Sequence, residues 1–197
     1  MANYYGDTEI LIQEDFLTEE QADYLVTLAE FQPKSKWATE ESSDFWDGRY
    51  IMVSEIENFD VNVLIDIEIR ARIIYETFYP QLKDKVSYSY IHSINRFSTG
   101  AEMPVHSDRG PYDTNNDIVH GFVIYLNDDY EGGEIYYPEK GISIKPKKYS
   151  LVVHPGNEEY QHGVSKVTRG HRYALTMFVH ETLDKYKISS KDRGFYY

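Results

Sequence analysis

The pattern of apolar and polar positions changes character near residue 86. Before that point the apolar residues recur at helical spacing. Thr18-Glu-Glu-Gln21 fits a capping box, in which the threonine hydroxyl and the glutamine side chain satisfy each other's orphan amides. Ala22, Leu25, Leu28 and Ala29 follow at the 3–4 residue interval of one helix face. Asp60 stands where it can cap a second helix, whose stripe is Leu64, Ile67, Ala71, Ile74 and Phe78, and Pro80 ends it. The first 80 residues therefore read mainly as helix. From Val86 onward the chain breaks into short β-type runs, expected at 86–97, 119–127, 134–137, 142–145, 149–154, 161–164 and 171–180. Gly132-Gly133 and Pro146-Lys147-Lys148 punctuate them. Many short strands with such turns suggest a sandwich or jelly roll. Helices first and strands later predict an α+β chain, with helical support over roughly 14–80 buttressing a β-core over roughly 86–180. No repeat or linker divides residues 1–197, so a single domain is expected.

Composition narrows the function. The 197 residues are 41% hydrophobic and 27% charged, an ordinary globular balance, and a chain of this length buries roughly 70% of its unfolded surface. The net charge of −13 argues against a body built to hold phosphate backbones, which demand positive charge. Absence of cysteine excludes disulfides, thiolate zinc sites, iron–sulfur clusters and cysteine nucleophiles. Residues 1–7 show no signal-peptide pattern, and no run of about 18 apolar residues marks a membrane span. A soluble cytoplasmic protein without a membrane partner is expected. The 19 tyrosines suit an aromatic, β-rich fold.

The chemistry lies in a few positions. His106-Ser-Asp108 puts an imidazole and a carboxylate two residues apart, on one side of an extended backbone. Alone, that pair is common by chance. A second segment, Gln161-His162-Gly163-Val164, is followed ten residues on by Arg172 in a strand-like run. Two histidines and one carboxylate form the facial triad of non-haem Fe(II) sites, and an arginine on a neighbouring strand offers a planar fork to a carboxylate. Residues 109–117 follow the first motif and are polar and turn-rich, the character of a lid or substrate-binding loop. Arg109 and Tyr112 are its candidate substrate contacts. His154, eight residues before His162, is a pocket or core residue. His92, His120, His171 and His180 lack a partner pattern, and strand alternation points His171 away from Arg172. Glu134 reads as structural, and the acidic pairs Asp128-Asp129 and Glu158-Glu159 read as solvated loops.

At these residues the sequence resembles the Fe(II)/2-oxoglutarate-dependent dioxygenases, in particular their prolyl 4-hydroxylase-like bacterial and phage branch. Ile94-Asn-Arg-Phe-Ser-Thr-Gly100 followed by His106-Ser-Asp108 is similar to that family's strand, turn and first two ligands. Tyr125-Leu-Asn-Asp128 and Gly132-Gly-Glu134 resemble its central strand and hairpin. Ile144-Lys-Pro-Lys-Lys-Tyr-Ser-Leu151 leads to His162 and then Arg172. The resemblance implies a double-stranded β-helix (a cupin-like jelly roll), Fe(II) on His106, Asp108 and His162, and Arg172 on the C5 carboxylate of 2-oxoglutarate. It also implies that Tyr125 joins that carboxylate, that Thr176 completes the pocket, and that Asn95 reaches the cosubstrate near the metal. Two positions depart from the pattern. Phe97 stands where many relatives carry tyrosine, and arginine at 172 replaces the lysine of collagen-type prolyl hydroxylases.

The implied reaction couples decarboxylation of 2-oxoglutarate to hydroxylation of a C–H bond, consuming O2 and releasing succinate and CO2. Ascorbate is a candidate requirement for keeping the iron reduced. A prolyl residue in a peptide or protein is the leading substrate. The alternatives are the same chemistry on a free amino acid, another small molecule or a methylated nucleobase. A catalytically silent jelly-roll binding protein and a cupin-like enzyme without 2-oxoglutarate are further readings. Nucleic acid is disfavoured by the net charge and by Phe178, where the oxidative demethylases carry a second arginine. The oligomeric state is left open.

Overall fold

The structure, a computed structural model, describes residues 1–39, 49–58, 60–83, 85–110 and 116–181. Tyr112 and the charged tail 185–197 lie outside the described residues.

Both helices begin at the expected caps. Thr18 and Gln21 exchange side-chain and backbone hydrogen bonds at 3.2 Å each, closing the capping box ahead of α1 (Glu19–Glu30). The Asp60 carboxylate accepts the Asn62 amide at 2.9 Å at the start of α2 (Val61–Phe78). Helix α2 ends just before Pro80, which cannot continue it. Its buried face is Leu64, Ile67, Ala71 and Tyr75, while Ile74 and Phe78 are only partly buried.

The strands are β1 (Asn3–Tyr4), β2 (Leu11–Gln13), β3 (Ala38–Thr39), β4 (Arg49–Met52), β5 (Val86–Ser98), β6 (Met103–His106), β7 (Ile118–Tyr125), β8 (Glu131–Gly132), β9 (Ile135–Tyr137), β10 (Ile142–Ile144), β11 (Leu151–Pro155), β12 (His162–Val164), β13 (Val167–Arg169) and β14 (His171–Glu181). The seven expected β segments are all found, their ends displaced by no more than two residues. Among the described residues they build an eight-stranded sheet, β1-β2-β11-β7-β14-β5-β4-β3, and a four-stranded sheet, β10-β9-β12-β6, with β8 and β13 forming a separate pair. The pairings are antiparallel.

One expectation is incomplete. Helix is the main regular structure of the first 80 residues, but β1 to β4 also lie there and extend the larger sheet on both sides through β2–β11 and β4–β5 pairing. Runs of two to four residues carry too little alternation to be read locally. Their backbone partners lie far away in sequence, so tertiary pairing decides them.

Alternation along the larger sheet sorts its side chains into two layers. Phe122, Ile124, Leu151, Val153, Leu175, Met177 and Val179 face the helices and join Leu25, Leu64, Ile67 and Tyr75 in one core cluster. Val123, Tyr125, Val152 and Ala174 face the smaller sheet and pack with Ile135, Tyr137 and Ile144. Strands buried on both faces read as nearly continuous apolar runs, as in Phe122-Val-Ile-Tyr-Leu126. Helices, larger sheet and smaller sheet are thus stacked layers, and the space between the two sheets is walled by the inner residues. Among the described residues no helix is long and apolar enough to cross a membrane.

Candidate metal centre

His106 ends β6 and His162 begins β12, and the two are direct cross-strand partners in the smaller sheet. Their ring centroids are 4.5 Å apart. Asp108 lies in the turn leaving β6. That turn is pinned by the Arg109 amide donating to the Gly156 carbonyl at 2.8 Å and by the Ser107 hydroxyl donating to the Arg109 carbonyl at 3.0 Å. Asp108 Oδ1 then stands 3.8 Å from His106 Nε2 and 3.7 Å from His162 Nε2. One ligand atom from each of the three falls within 4.8 Å of the others.

Each histidine is aimed by its other nitrogen. His106 Nδ1 lies 3.0 Å from the Pro104 carbonyl and His162 Nδ1 3.2 Å from the Tyr160 carbonyl. A carbonyl only accepts, so both rings carry the proton on Nδ1 and turn a bare Nε2 toward Asp108, the arrangement that orients metal-bound imidazoles. Burial, with His106 alongside, pushes the His162 pKa down to about 3, keeping it neutral. The donor set is two imidazoles and one carboxylate, which suits a divalent cation with open positions. Asp108 Oδ2 is buried without a hydrogen-bond partner.

Arg172 sits on β14 between the two sheets and is only 2% exposed. Its Nη2 donates to the Tyr125 hydroxyl at 3.1 Å, and its guanidinium lies 4.8 Å from the Tyr125 ring and 5.3 Å from the Phe97 ring. Among the described residues it has no carboxylate partner, and its Nε is buried without a hydrogen bond. An unpaired buried charge costs several kcal/mol, so this pocket fits an anion. Burial lowers the Arg172 pKa, but the facing Tyr125 and Tyr130 more than offset it and leave it raised. Burial likewise raises Tyr125 and pushes Tyr130 up to about 12, so both remain neutral donors. The Tyr130 and Tyr137 hydroxyls are buried without partners as well. A carboxylate with further oxygens is what these orphaned donors lack.

Two more expected residues line the same inner face. Thr176 Oγ1 lies 3.0 Å from Ser93 Oγ, and Ser93 Oγ is 3.1 Å from Asn95 Oδ1. Ser93 pairs with Thr176 and Asn95 with Ala174 across the β5–β14 ladder. A one-residue irregularity at His92 turns that imidazole toward Ser93, its Nδ1 3.0 Å from the hydroxyl. Arg109 is placed differently. Its Nε donates to the Asn116 carbonyl at 2.7 Å and its Nη2 to Glu181 at 3.0 Å, so it clamps the two ends of the 109–117 segment. His180 pairs with Asp117 at 2.9 Å, His120 with the Tyr75 hydroxyl at 3.1 Å, and His171 with Ser98 at 3.1 Å on the outside. Ser93, Tyr130, Tyr137 and Gly121 were not singled out by the sequence. Strand alternation with Asn95 and Tyr125 is the signal that marks Ser93 and Gly121.

A family model described as the 2OG-Fe(II) oxygenase superfamily matches residues 92–180. Rat prolyl 3-hydroxylase 2 is 30% identical over 143 residues, covering 60% of this chain and 20% of that protein. The chain thus spans about a fifth of the length of the curated relatives it matches. Among solved structures, a Pseudomonas putida prolyl-4-hydroxylase superimposes with a TM-score of 0.70 at 17% identity, over 88% of this chain and 93% of its own. A Trichoplax adhaerens prolyl hydroxylase in complex with a hypoxia inducible factor peptide fragment gives 0.72 at 13%, over 89% and 84%. The 2OG complex of a viral collagen prolyl hydroxylase from Paramecium Bursaria Chlorella virus-1 gives 0.65 at 17%, over 88% and 96%. Every residue from Ser93 to Thr176 described above falls inside the matched segment, and over that segment the chain is similar to the 2OG-Fe(II) oxygenase superfamily.

Proposed function

We propose that the protein hydroxylates a prolyl residue in a peptide or protein, with Fe(II) held by His106, Asp108 and His162 and 2-oxoglutarate anchored by Arg172. The observation that carries the chemistry is the buried Arg172, fixed by Tyr125 and lacking an acid, inside the same two-sheet space as the His-Asp-His set. The prolyl substrate is supported by the named activity of the curated relatives and by the peptide-bound neighbour. The fold assigned here is a double-stranded β-helix. In its support, the chain crosses repeatedly between the sheets, with β5, β7, β11 and β14 in the larger and β6, the β9–β10 hairpin and β12 in the smaller. Residues 1–197 act in this reading as one domain.

Bound together, Fe(II), 2-oxoglutarate and O2 supply the oxidising power that places an oxygen atom on a C–H bond, with succinate and CO2 as co-products. The chain's own residues do the positioning. Arg172 and Tyr125 grip the far carboxylate, and Tyr130 and Tyr137 offer further hydroxyl donors from the same walls. Thr176, Ser93 and Asn95 form a polar ledge on β14 and β5. Val123, Val152, Ala174 and Ile135 keep the space dry, which strengthens each polar contact inside it. Arg109 holds the base of the loop following Asp108 rather than reaching outward, and Tyr112 remains the loop's candidate for substrate contact.

The test is an anaerobic titration with Fe(II) and 2-oxoglutarate, following the visible metal-to-ligand charge-transfer band. A band requiring both components is expected, with 2-oxoglutarate roughly a hundredfold weaker in Arg172→Ala, since losing one partner of a buried charge pair costs about 2–5 kcal/mol. Prolyl peptides are then expected to stimulate succinate release, unlike free amino acids or methylated oligonucleotides. A folded, metal-loaded protein showing no band would overturn the dioxygenase reading in favour of a silent binding module. Stimulation by one of the other substrates instead would reassign the substrate alone.

A further inference from the structure

The three candidate ligands leave one atom unexplained. Asp108 Oδ2 is buried and makes no hydrogen bond, a costly state for a charged oxygen. The imidazole of His154, 1% exposed, faces it with Nδ1 3.8 Å away. This pair sits in a shaped cradle. His154 on β11 is the direct partner of Gly121 on β7. A Cβ at position 121 would lie 2.1 Å from Asp108 Oδ2 and 3.0 Å from His154 Cε1, so the missing side chain is the room the carboxylate occupies. Gly156, just beyond β11, accepts the Arg109 amide and donates its own to the Val119 carbonyl, both at 2.8 Å. The Asp108 turn is thereby tied to the strand that carries His154.

His154 is close to the centre without being part of the donor set, which is His106, Asp108 and His162. Its ring meets the His162 ring edge-on at 4.2 Å. Its Nδ1 has two neighbours, Asp108 Oδ2 and the Pro155 carbonyl at 3.3 Å, and both are acceptors. The proton therefore belongs on Nδ1. Resting on the metal-centre reading above, we propose that His154 is a positioning residue: its Nδ1–H donates to Asp108 Oδ2 and turns the carboxylate so that Oδ1 alone faces the two imidazoles. A small rotation of Asp108 within the glycine cradle closes the contact to hydrogen-bond length. Partners of this kind orient ligands, and losing one typically weakens metal binding 10- to 100-fold.

The experiment compares Mn(II) affinity, read from the free-ion electron paramagnetic resonance signal, in the full chain and in His154→Asn, His154→Gln and His154→Phe. Asparagine places its amide nitrogen near the imidazole Nδ1 position, glutamine near Nε2, and phenylalanine keeps the ring volume without a donor. Affinity close to wild type in His154→Asn, with roughly 10- to 100-fold losses in the other two, is the expected result. Thermal midpoints of the variants are measured alongside. Should the phenylalanine variant fail to fold, the asparagine–glutamine comparison decides the question alone. Wild-type affinity in His154→Phe, or equal losses in all three, would overturn the positioning role while leaving the metal centre standing. A wild-type chain that binds no Mn(II) would overturn the metal-centre reading and this inference together.

Discussion

Gly121 and Tyr125 stand four residues apart on the same face of β7 and govern the two ends of the site. At Gly121 a methyl group would occupy the position of the Asp108 carboxylate. Gly121→Ala is accordingly expected to lower Mn(II) affinity at least about tenfold while leaving the far-ultraviolet circular dichroism unchanged. Unaltered affinity would show that Asp108 is not held where it lies. Tyr125 gives Arg172 its only hydroxyl contact with hydrogen-bond geometry among the described residues. Tyr125→Phe is expected to raise KM for 2-oxoglutarate about tenfold, since a hydrogen bond to a charged group contributes about 1.5 kcal/mol or more. A change in kcat alone would place Tyr125 elsewhere in the reaction. The His-Asp-His cluster and the buried arginine were legible because metal-ligand and carboxylate-binding chemistry resides in residue type and interval: His106-x-Asp108, His162, then Arg172. Gly121, Tyr130, Tyr137 and the Ser93 hydroxyl were not, because each gains its role from what lies across a strand pair.

At the scale of elements, the helices announce themselves through their caps and the edge strands do not. Thr18, Gln21 and Asp60 are local signals satisfied by neighbours within three residues. Thr18→Ala removes one side of the capping box and is expected to cost about 1 kcal/mol in urea unfolding, with 2-oxoglutarate affinity unchanged because α1 packs against the sheet face opposite the site. A shift in that affinity would mean the helix layer reports to the pocket. Strand β6 carries His106 yet escaped the periodicity. Its four residues include Pro104, and two of them are exposed, so no apolar face repeats. Among the described residues it is an edge strand of the smaller sheet, where proline is tolerated. β2 and β4 were invisible for a related reason: a buried Leu11 or Ile51 carries no period by itself.

For the molecule as a whole, the layered arrangement buries imidazoles that must stay neutral. Desolvation pushes His120, His154 and His162 down to about 3 each. An unfolded chain binds protons at histidine near pH 6.5, so the folded metal-free protein enjoys this stability above pH 6.5 and loses it as pH falls toward 3. His120, enclosed by Tyr75 and Tyr79 away from the candidate ligands, gives a clean probe. His120→Phe is expected to flatten the decline in denaturant-measured stability between pH 6 and pH 4 relative to wild type. The comparison is differential because relief of the −13 net charge acts on both proteins over the same range. Parallel curves would mean that His120 titrates normally. The layering also sets which part of the site opens first. Arg172 lies on β14, flanked on both sides by β7 and β5, whereas His106 lies on β6, which among the described residues is outermost with β12 alone beside it. Amide protons of β6 are therefore expected to exchange with deuterated solvent well before those of β14. In the proposed reading such a molecule would release its metal through brief local openings and rebind it, while the wall carrying Arg172 stays shut.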